Sequence, residues 1–338
     1  MGGLGSRLRP LTFEKPKPLL PIGGRPALWH LLNSLVPLQV ERVFLACRYG
    51  INQFRQFDQE LGSPLGFKVE IVEEDSERGT GGALAALPLE DFRQIWVFNG
   101  DTLMDLDTRA MLSIHQATGC SATMAVVSVE NPGRYGSVSI ERERLRGFVE
   151  KHQVQAGPGW INAGAYLIEG PLWKSLEKRQ PLSLEREVFP QWIESGSDLG
   201  VYRHSGYFID IGTPEAYLQS QAILLTHRSI HPTANIHPQA HLEGALSIGA
   251  DCIIGAGVHL FGPTTLGRQV HLGVGCWVKN SVIWDKVRVG SGSRLTRCIL
   301  GSQVELAANT FAKDQAKVCL TPLEPAAWPL EIQFGEPQ

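Results

Sequence analysis

The sequence predicts an α/β domain with a mostly parallel, Rossmann-like sheet, followed by a parallel β-helix. Three observations support this fold class. Strand-like and helix-like segments alternate as far as residue 227, a six-residue aliphatic repeat starts at Ile230, and the repeat fades before the chain ends. We therefore divide the chain into an α/β domain over residues 1–227, a β-helix over 228–312, and a cap or tail over 313–338.

The first region alternates short apolar runs with helical patterns. The runs typical of buried strands are Val43–Ala46, Val69–Val72, Ile95–Phe98, Ala122–Val129 and Ile161–Ile168. The helical patterns cover Pro26–Leu38, Gly82–Leu87 and Arg109–Ala117, and Thr213 and Pro214 are the N-cap and first residue of a further helix. This alternation predicts helices on both faces of the sheet, with ligands bound at the carboxyl ends of the strands.

Nine aliphatic anchors then recur at a strict six-residue spacing. They are Ile230, Ile236, Leu242, Ile248, Ile254, Leu260, Leu266, Leu272 and Val278. This period is typical of a parallel β-helix, in which each anchor points into a narrow core. Ile283, Val289 and Leu295 continue the spacing one residue early, which predicts a shortened turn near Trp284. We expect three to four coils in total.

Composition and charge narrow the class of protein. The 338 residues are 43% hydrophobic with a net charge of −3, and they carry no basic stripe, so nucleic acid is not an expected partner. No apolar stretch reaches the roughly 18 residues of a membrane span, and no signal peptide is visible. The six cysteines lack both zinc-ligand spacing and a CxxC pair, which predicts buried free thiols in a cytoplasmic protein.

The opening segment carries the most specific chemical motif. Its chemistry-bearing residues are Gly2, Gly3, Gly5, Arg7 and Lys17. The glycines would let backbone N–H groups approach phosphate oxygens, and the arginine can bind a phosphate through two parallel bonds. The lysine, held between two prolines, offers a point charge. An ordinary Gly-rich turn is the alternative, but the segment is neither a P-loop nor a dinucleotide fingerprint.

The chain start lacks a feature that a phosphate loop normally has. Such a loop follows a buried strand, yet only Met1 precedes Gly2. Either the domain lacks its first central strand or the reading frame begins upstream of Met1. Unpaired backbone groups beside a missing strand would cost about 1–3 kcal/mol each, which favours the second alternative.

The segment from Gly2 to Thr12, with Pro16–Pro21 after it, resembles the N-terminal motif of the sugar nucleotidylyltransferase family. That family includes mannose-1-phosphate guanylyltransferases and glucose-1-phosphate thymidylyl- and adenylyltransferases. Four further segments resemble later family motifs in the family's order, namely Phe98–Asp101, Phe148–Lys151, Trp160–Gly164 and Gly206–Pro214. The resemblance implies a nucleotidyltransferase fold over residues 1–227, with its first strand apparently missing, and a β-helix that is left-handed.

The resemblance implies that Asp101 and Asp210 bind Mg²⁺. Each aspartate follows an apolar, strand-like run, and two carboxylates together with triphosphate oxygens suit this cation. For either aspartate alone, a turn residue is the alternative. Asp105 and Asp107 lie nearby, and we expect them in a solvated loop and in helix capping.

The resemblance also implies a sugar-phosphate site. Lys151 would bind the phosphate and Glu150 a sugar hydroxyl, with Gly136 and Asn162 lining the site. An exposed charge pair is the alternative for Glu150 and Lys151. The wider match, which includes Ser183–Glu187, looks most like guanylyltransferases that act on manno-configured sugar 1-phosphates, either mannose or D-glycero-D-manno-heptose.

Glu74 is the candidate residue for base selection. In the family, the residue at this position contacts the edge of the nucleotide base. Family members that bind uracil or thymine resemble each other in having Gln there. A carboxylate only accepts hydrogen bonds, so it suits the N1–H and N2–H₂ donors of guanine. The alternative is an exposed acid on an acidic loop. Gly79, Thr80 and Gly100 would line the nucleotide site.

These motifs imply transfer of GMP from GTP to a sugar 1-phosphate, with attack on the α-phosphorus and release of pyrophosphate. Arg7, Lys17 and Asp101 would be the catalytic residues, the two cations stabilising the leaving pyrophosphate. One alternative is a thymidylyl-, uridylyl- or adenylyltransferase that uses another NTP and glucose 1-phosphate. Another is a non-catalytic relative that binds a nucleotide sugar.

Two functions suit the β-helix. Its exposed flank and open end favour assembly into a homo-oligomer. An acyltransferase site is the alternative, with candidate residues His231, His237, His241, His259 and His271. No long loop interrupts the repeat, and most of these histidines are expected to face solvent, so assembly is the favoured interpretation.

Overall fold

We describe the fold from a computed structural model of the chain. The residues described are 5–74, 78–89, 91–134, 137–149, 157–176, 181–318 and 331–333. They divide into two compact units, one over residues 28–209 and the other over residues 5–27 together with 210–333. Residues 5–27 therefore group with the β-helix in this division, and the domain boundaries drawn from the sequence stay predictions.

The helices of the described residues are short. They are α1 (Leu11–Glu14), α2 (Ala27–Asn33), α3 (Ile51–Phe57), α4 (Gly79–Ala85), α5 (Thr108–Thr118), α6 (Gly170–Lys174), α7 (Phe189–Glu194) and α8 (Pro214–Leu224). Single 3-10 or π-helical turns lie at Ser6–Leu8, Lys17–Leu19, Val36–Leu38, Asp58–Gly62, Ser63–Leu65, Pro132–Arg134 and Leu184–Val188. The helix predicted over Pro26–Leu38 ends early, because Pro37 has no N–H to continue it.

The strands before the repeat are β1 (Pro21–Ile22), β2 (Arg25–Pro26), β3 (Arg42–Cys47), β4 (Lys68–Glu73), β5 (Gln94–Phe98), β6 (Thr102–Met104), β7 (Ala122–Val129), β8 (Ser137–Glu141), β9 (Arg144–Val149), β10 (Gly159–Glu169), β11 (Leu199–His204) and β12 (Phe208–Asp210). All five strands predicted from apolar runs are present, as β3, β4, β5, β7 and β10.

The main sheet of the first unit has the order β5–β10–β7–β11–β9–β8. β10 is antiparallel to both β5 and β7, whereas β7 and β11 are parallel. β5, β7 and β11 therefore share one direction, with β10 reversed among them, and β3 and β4 form a separate parallel pair. The α/β class with a mostly parallel sheet is confirmed. The prediction about a strand before Gly2 lies outside the described residues, which begin at Gly5.

The main sheet is covered on both faces. Met124 and Val126 of β7 belong to one apolar cluster, while the alternating residues Ala125 and Val127 belong to another. Burial of successive residues on opposite faces is typical of a sheet between two helical layers. Within the part of the chain that the structure describes, no helix combines the length and apolarity needed to cross a membrane.

The strands of the repeat region are β13 (Ser229–Ile230), β14 (Asn235–Ile236), β15 (His241–Glu243), β16 (Leu246–Ile248), β17 (Ile253–Ile254), β18 (His259–Phe261), β19 (Thr264–Leu266), β20 (His271–Leu272), β21 (Trp277–Lys279), β22 (Val282–Ile283), β23 (Arg288–Val289), β24 (Arg294–Thr296), β25 (Ile299–Leu300), β26 (Glu305–Leu306), β27 (Phe311–Lys313), β28 (Gln315–Lys317) and β29 (Glu331–Gln333).

These strands form a parallel β-helix with three sheets and about 5 turns. Ser229 pairs with Ser247, so one turn takes three six-residue repeats. The predicted parallel β-helix is confirmed, and the expected three to four coils are too few because parallel pairing continues to Lys317. β29 then pairs with β28 in the antiparallel sense. The left-handed sense stays a prediction.

The predicted shortening of a turn is confirmed at the corner before Trp284. Val278 is followed by the next anchor, Ile283, one residue sooner than Leu260 is followed by Leu266. The missing residue falls at the Asn280 corner, where Asn280 has a φ of 50°. The same corner is also short in the next turn, which the sequence pattern did not indicate.

The interior of the β-helix is apolar and narrow. Leu260, Leu272 and Val278 are each 0% exposed, as predicted for inward-pointing anchors. Ile230 is 39% exposed, because it lies in the first coil and its strand pairs only with the coil that follows.

The cysteines are buried free thiols as far as the structure describes them. They are Cys47, Cys120, Cys252, Cys276 and Cys298. Three of them fill the β-helix core as small apolar side chains. Burial raises the pKa of Cys47 to about 12, which keeps its thiol protonated at neutral pH. The prediction is confirmed for these five, and Cys319 lies outside the described residues.

Candidate functional site

The described part of the Gly-rich loop, from Gly5 onward, lies in the second unit. Gly5 takes a left-handed conformation with φ 59° and precedes the 3-10 turn Ser6–Leu8. The hydroxyl of Thr12, on α1, donates a 3.0 Å hydrogen bond to the Gly5 carbonyl. This bond ties α1 to the start of the turn that presents Arg7, whose side chain is 69% exposed.

Arg7, Lys17 and Asp210 come together in this unit. Lys17 Nζ donates to Asp210 Oδ1 at 3.0 Å, and Arg7 Nη2 lies 3.7 Å from Asp210 Oδ2. Lys17 is 9% exposed, and a buried ammonium is stable only beside a carboxylate or a similar acceptor. The sequence predicted the two cations at a phosphate site, but it did not predict that Asp210 would lie against them.

The position of Asp210 follows from the start of α8. Asp210 ends β12, and Gly212 N donates to the Asp210 carbonyl at 2.7 Å. Thr213 Oγ1 accepts a 3.2 Å hydrogen bond from Ala216 N, which confirms the predicted N-cap. The cap and the tight turn fix the backbone immediately after the aspartate.

Asp101 lies in the first unit, in the turn between β5 and β6. Asn99 N donates to the Gly164 carbonyl at 2.8 Å, and Gly164 N donates to Asn162 Oδ1 at 2.8 Å. These bonds join the turn that contains Gly100 and Asp101 to the segment of β10 that carries Asn162. The structure thus brings the predicted metal-motif turn and the predicted sugar residue to one end of the sheet.

Glu74 follows β4 directly, and its backbone N–H donates to the Cys47 carbonyl at 2.9 Å. Its side chain is buried, with 7% of the residue exposed. This excludes the alternative interpretation from the sequence, that Glu74 is an exposed acid on an acidic loop. Among the residues that the structure describes, none donates a hydrogen bond to this carboxylate.

The Gly79–Gly82 segment begins α4 and packs on Leu182. The N–H groups of Gly81 and Gly82 both donate to the Leu182 carbonyl, at 2.9 and 3.1 Å. A Cβ on Gly79, which has φ +70°, would clash with that oxygen, so only glycine fits there. The structure thus explains Gly79 by packing on Leu182, and its place at a nucleotide stays a prediction.

Glu185 links two predicted site residues, although sequence reasoning gave it no role of its own. Its Oε2 accepts from Thr80 Oγ1 at 3.0 Å and from Ser183 Oγ at 3.1 Å. Its Oε1 accepts from Tyr166 Oη at 3.1 Å, and Tyr166 Oη accepts from Asn162 Nδ2 at 2.6 Å. Thr80 and Asn162 are therefore held in one network. Burial, with the Glu185 charge, raises the pKa of Tyr166 well above its ordinary value, so its phenol stays a donor.

The two other aspartates near Asp101 have structural partners. Asp107 Oδ1 accepts a 2.9 Å hydrogen bond from Ala110 N, which confirms the predicted helix cap. Asp105 lies 3.3 Å from Nε2 of the buried His204, so this residue contacts a histidine and not solvent alone. No local sequence pattern indicates that contact, because the two residues belong to distant segments.

The remaining predicted site residues lie outside the described part of the chain. They are Gly2, Gly3, Gly136, Glu150 and Lys151. Within the described ranges, no three or more His, Cys, Asp or Glu side chains gather as a metal cluster. The five histidines considered for an acyltransferase are all exposed, as expected.

These features define a class of protein. The chain belongs to the nucleotidyl transferase family, whose model matches residues 1–227. A second model, described as the GMPPB C-terminal domain, matches residues 224–321.

Individual relatives are similar over most of the chain. A mannose-1-phosphate guanylyltransferase of Mycobacterium tuberculosis is 34% identical over 304 residues, covering 88% of this chain and 82% of the relative. A probable mannose-1-phosphate guanylyltransferase of Oryza sativa is 33% identical over 310 residues, covering 89% of this chain and 83% of the relative. Among solved structures, HddC from Yersinia pseudotuberculosis complexed with GMP-PN has a TM-score of 0.56 and 28% identity, covering 66% of this chain and 96% of that one.

Proposed function

We propose that this chain transfers GMP from GTP to a manno-configured sugar 1-phosphate and releases pyrophosphate. The observation that carries the proposal is the buried Lys17 ammonium beside Asp210, next to the turn that presents Arg7. The family membership and the names of the similar proteins support it, as does the complex of HddC with GMP-PN.

In this proposal the chain works by positioning and charge neutralisation. An oxygen of the sugar 1-phosphate attacks the α-phosphorus of GTP, and the bond to the β-phosphate bridging oxygen breaks, so pyrophosphate leaves with that electron pair. Arg7 and Lys17 neutralise charge on the leaving pyrophosphate. Lys151 holds the attacking phosphate, while Glu150, Gly136 and Asn162 contact the sugar. No proton has to move, because the attacking phosphate oxygen is already ionised.

Mg²⁺ is the proposed cofactor, with Asp101 and Asp210 as proposed ligands. Both are carboxylates, which suit a hard divalent cation that keeps several water and phosphate ligands. When bound, such a cation would lower the negative charge felt by the attacking oxygen. The ion pair of Asp210 with Lys17 also fits this proposal, since the lysine would compensate the carboxylate when no cation is present.

Glu74 is the proposed reader of guanine. A buried carboxylate with no donor among its described neighbours is suited to accept from N1–H and N2–H₂ of the base. Gly79, Thr80 and Gly100, with Gly2, Gly3 and Gly5 of the first loop, are the proposed surroundings of the nucleotide.

A panel of nucleoside triphosphates against sugar 1-phosphates tests the proposed function. Pyrophosphate release should be fastest with GTP and either mannose 1-phosphate or D-glycero-D-manno-heptose 1-phosphate. Preference for dTTP, UTP or ATP with glucose 1-phosphate would replace the proposal by the corresponding transferase. Binding of nucleotide sugar without any turnover would replace it by a regulatory role.

Glu74→Gln should raise the KM for GTP by about tenfold or more, since an amide N–H₂ would then face a guanine donor. The KM for the sugar 1-phosphate should change little. The matched control is Glu73→Gln, the same change at the adjacent, exposed residue. An unchanged GTP preference in Glu74→Gln would remove this residue from base selection.

A cytoplasmic homo-oligomer assembled through the β-helix is also proposed. Buried free thiols support the compartment, and exposed apolar side chains on the β-helix support assembly, with Val274 59% and Phe311 74% exposed. Size-exclusion chromatography with light scattering tests the assembly. A mass equal to one chain at micromolar concentration would exclude it.

A further inference from the structure

We propose that Glu14 is a positioning residue that anchors the loop bearing Arg7 and Lys17 to the β-helix through the backbone of Ser302. This inference rests on the proposed function of that loop. It gives the β-helix a part in catalysis in addition to its proposed part in assembly.

The anchor is a carboxylate that accepts from one backbone N–H with both oxygens. Ser302 N lies 3.1 Å from Glu14 Oε1 and 2.9 Å from Glu14 Oε2. The approach is close enough that a Cβ on Gly301 would lie 2.6 Å from Glu14 Oε2. Charge-assisted bonds of this kind are about twice as strong as neutral ones.

Along the sequence, Glu14 lies between Arg7 and Lys17. On one side, Glu14 ends α1, and Thr12 of the same helix holds the Gly5 carbonyl, from which the Arg7 turn starts. On the other side, Lys17 follows only three residues later and meets Asp210. Displacement of Glu14 would therefore move both cations.

A second set of buried contacts ties the same part of the chain to the β-helix. Tyr217 of α8 donates to the Pro21 carbonyl at 2.6 Å and accepts from Trp284 Nε1 at 3.2 Å. Gln221 accepts from Gly23 N at 2.9 Å and from Thr265 Oγ1 at 3.0 Å. These contacts hold the segment after Lys17 and α8, while the Glu14 anchor holds the segment before Lys17.

The charged neighbours of Glu14 are Lys15 and Asp285. Burial raises the pKa of the Glu14 carboxyl, while the Ser302 hydrogen bonds and Lys15 oppose that rise and Asp285 adds to it. The Lys15 ammonium also lies 5.7 Å from the centre of the Trp284 ring. Glu14→Gln keeps an acceptor oxygen without the buried charge, so this variant should fold and keep much of the anchor.

The donor of this anchor, the Ser302 N–H, can also be removed by a substitution in the β-helix. Ser302 lies in a turn whose next residue, Gln303, has φ 62°, and proline is favoured before such a residue. Leu300 stacks in one column with Ile230, and Pro232 already occupies the turn position that corresponds to Ser302. Ser302→Pro should therefore remove both the N–H and the hydroxyl that Ser302 offers to Glu14, while the coil stays intact. The matched control is Ala250→Pro, at the corresponding turn position of another coil.

The test compares the whole chain with its variants Glu14→Ala, Glu14→Gln, Ser302→Pro and Ala250→Pro. In Glu14→Ala and Ser302→Pro, kcat should fall by about tenfold to a hundredfold, with the KM for the sugar 1-phosphate nearly unchanged. Amide hydrogen exchange over residues 5–20 should rise in these two variants. Glu14→Gln should recover much of both properties, and Ala250→Pro should match the wild type.

Unchanged exchange over residues 5–20 in Glu14→Ala would overturn the anchor. So would equal effects of Ser302→Pro and Ala250→Pro. If Ser302→Pro does not fold, the comparison of Glu14→Ala with Glu14→Gln tests the anchor by itself. A wild-type chain that turns over no pair of substrates would refute the proposed function, while the exchange comparison would still decide whether Glu14 fixes the loop.

Discussion

Replacing Lys17 with Met should lower kcat by about a hundredfold to a thousandfold while the chain stays folded. The Lys17 ammonium is buried and lies 3.0 Å from Asp210. In the proposed reaction it neutralises charge that develops on the departing pyrophosphate, which methionine cannot do. Pyrophosphate release at saturating GTP and mannose 1-phosphate measures the loss, and circular dichroism checks the fold.

The matched control for this variant is Lys68→Met. Lys68 is 65% exposed and pairs with Glu70 at 2.6 Å on the surface, so it should contribute little to either stability or turnover. Asp210 in the Lys17→Met protein keeps Arg7 as a cationic neighbour at 3.7 Å, which limits the cost of removing the lysine. Near-normal pyrophosphate release from folded Lys17→Met would refute the catalytic role.

Replacing Asp101 with Asn should also lower turnover by about a hundredfold or more, because a neutral amide is a poor ligand for a hard divalent cation. The concentration of Mg²⁺ that gives half-maximal rate should rise in the same variant. Titration of Mg²⁺ at fixed GTP and sugar 1-phosphate measures both effects.

Asp107→Asn is the control for this change. Asp107 caps α5 through Ala110 N, and asparagine caps a helix about as well as aspartate does. The same chemical change a few residues away should therefore leave the rate and the Mg²⁺ titration unaltered. A variant Asp101→Asn with an unchanged titration would exclude this residue as a metal ligand.

Elements whose signals are local could be predicted from the sequence. β7 has the bounds read from its apolar run, and the caps at Asp107 and Thr213 form as their residue types indicate. The six-residue anchors of the β-helix point inward because alternating burial depends on the local period alone. The number of coils was underestimated, because the corner at Arg297 shortens the repeat again and hides its continuation.

The candidate site could be predicted only in part. Sequence motifs selected Lys17, Asp210 and Thr80, but they gave no sign that Asp210 contacts Lys17 or that Glu185 joins Thr80 to Asn162. The sequence pattern indicated no role for Glu185, because two of its partners, Thr80 of α4 and Tyr166 of β10, lie far from it along the chain. The sequence also left open whether Glu74 is exposed, and its burial depends on packing after β4.

The sequence by itself determined the α/β class, the parallel β-helix, the family and the set of residues with phosphate and carboxylate chemistry. Each of these depends on residues a few positions apart, whose spacing fixes which face they share. Only the tertiary structure decided which groups pair, such as Lys17 with Asp210 and Glu14 with the backbone of Ser302. Such pairs join residues hundreds of positions apart, and the folded path of the chain, not local spacing, brings them within hydrogen-bond distance.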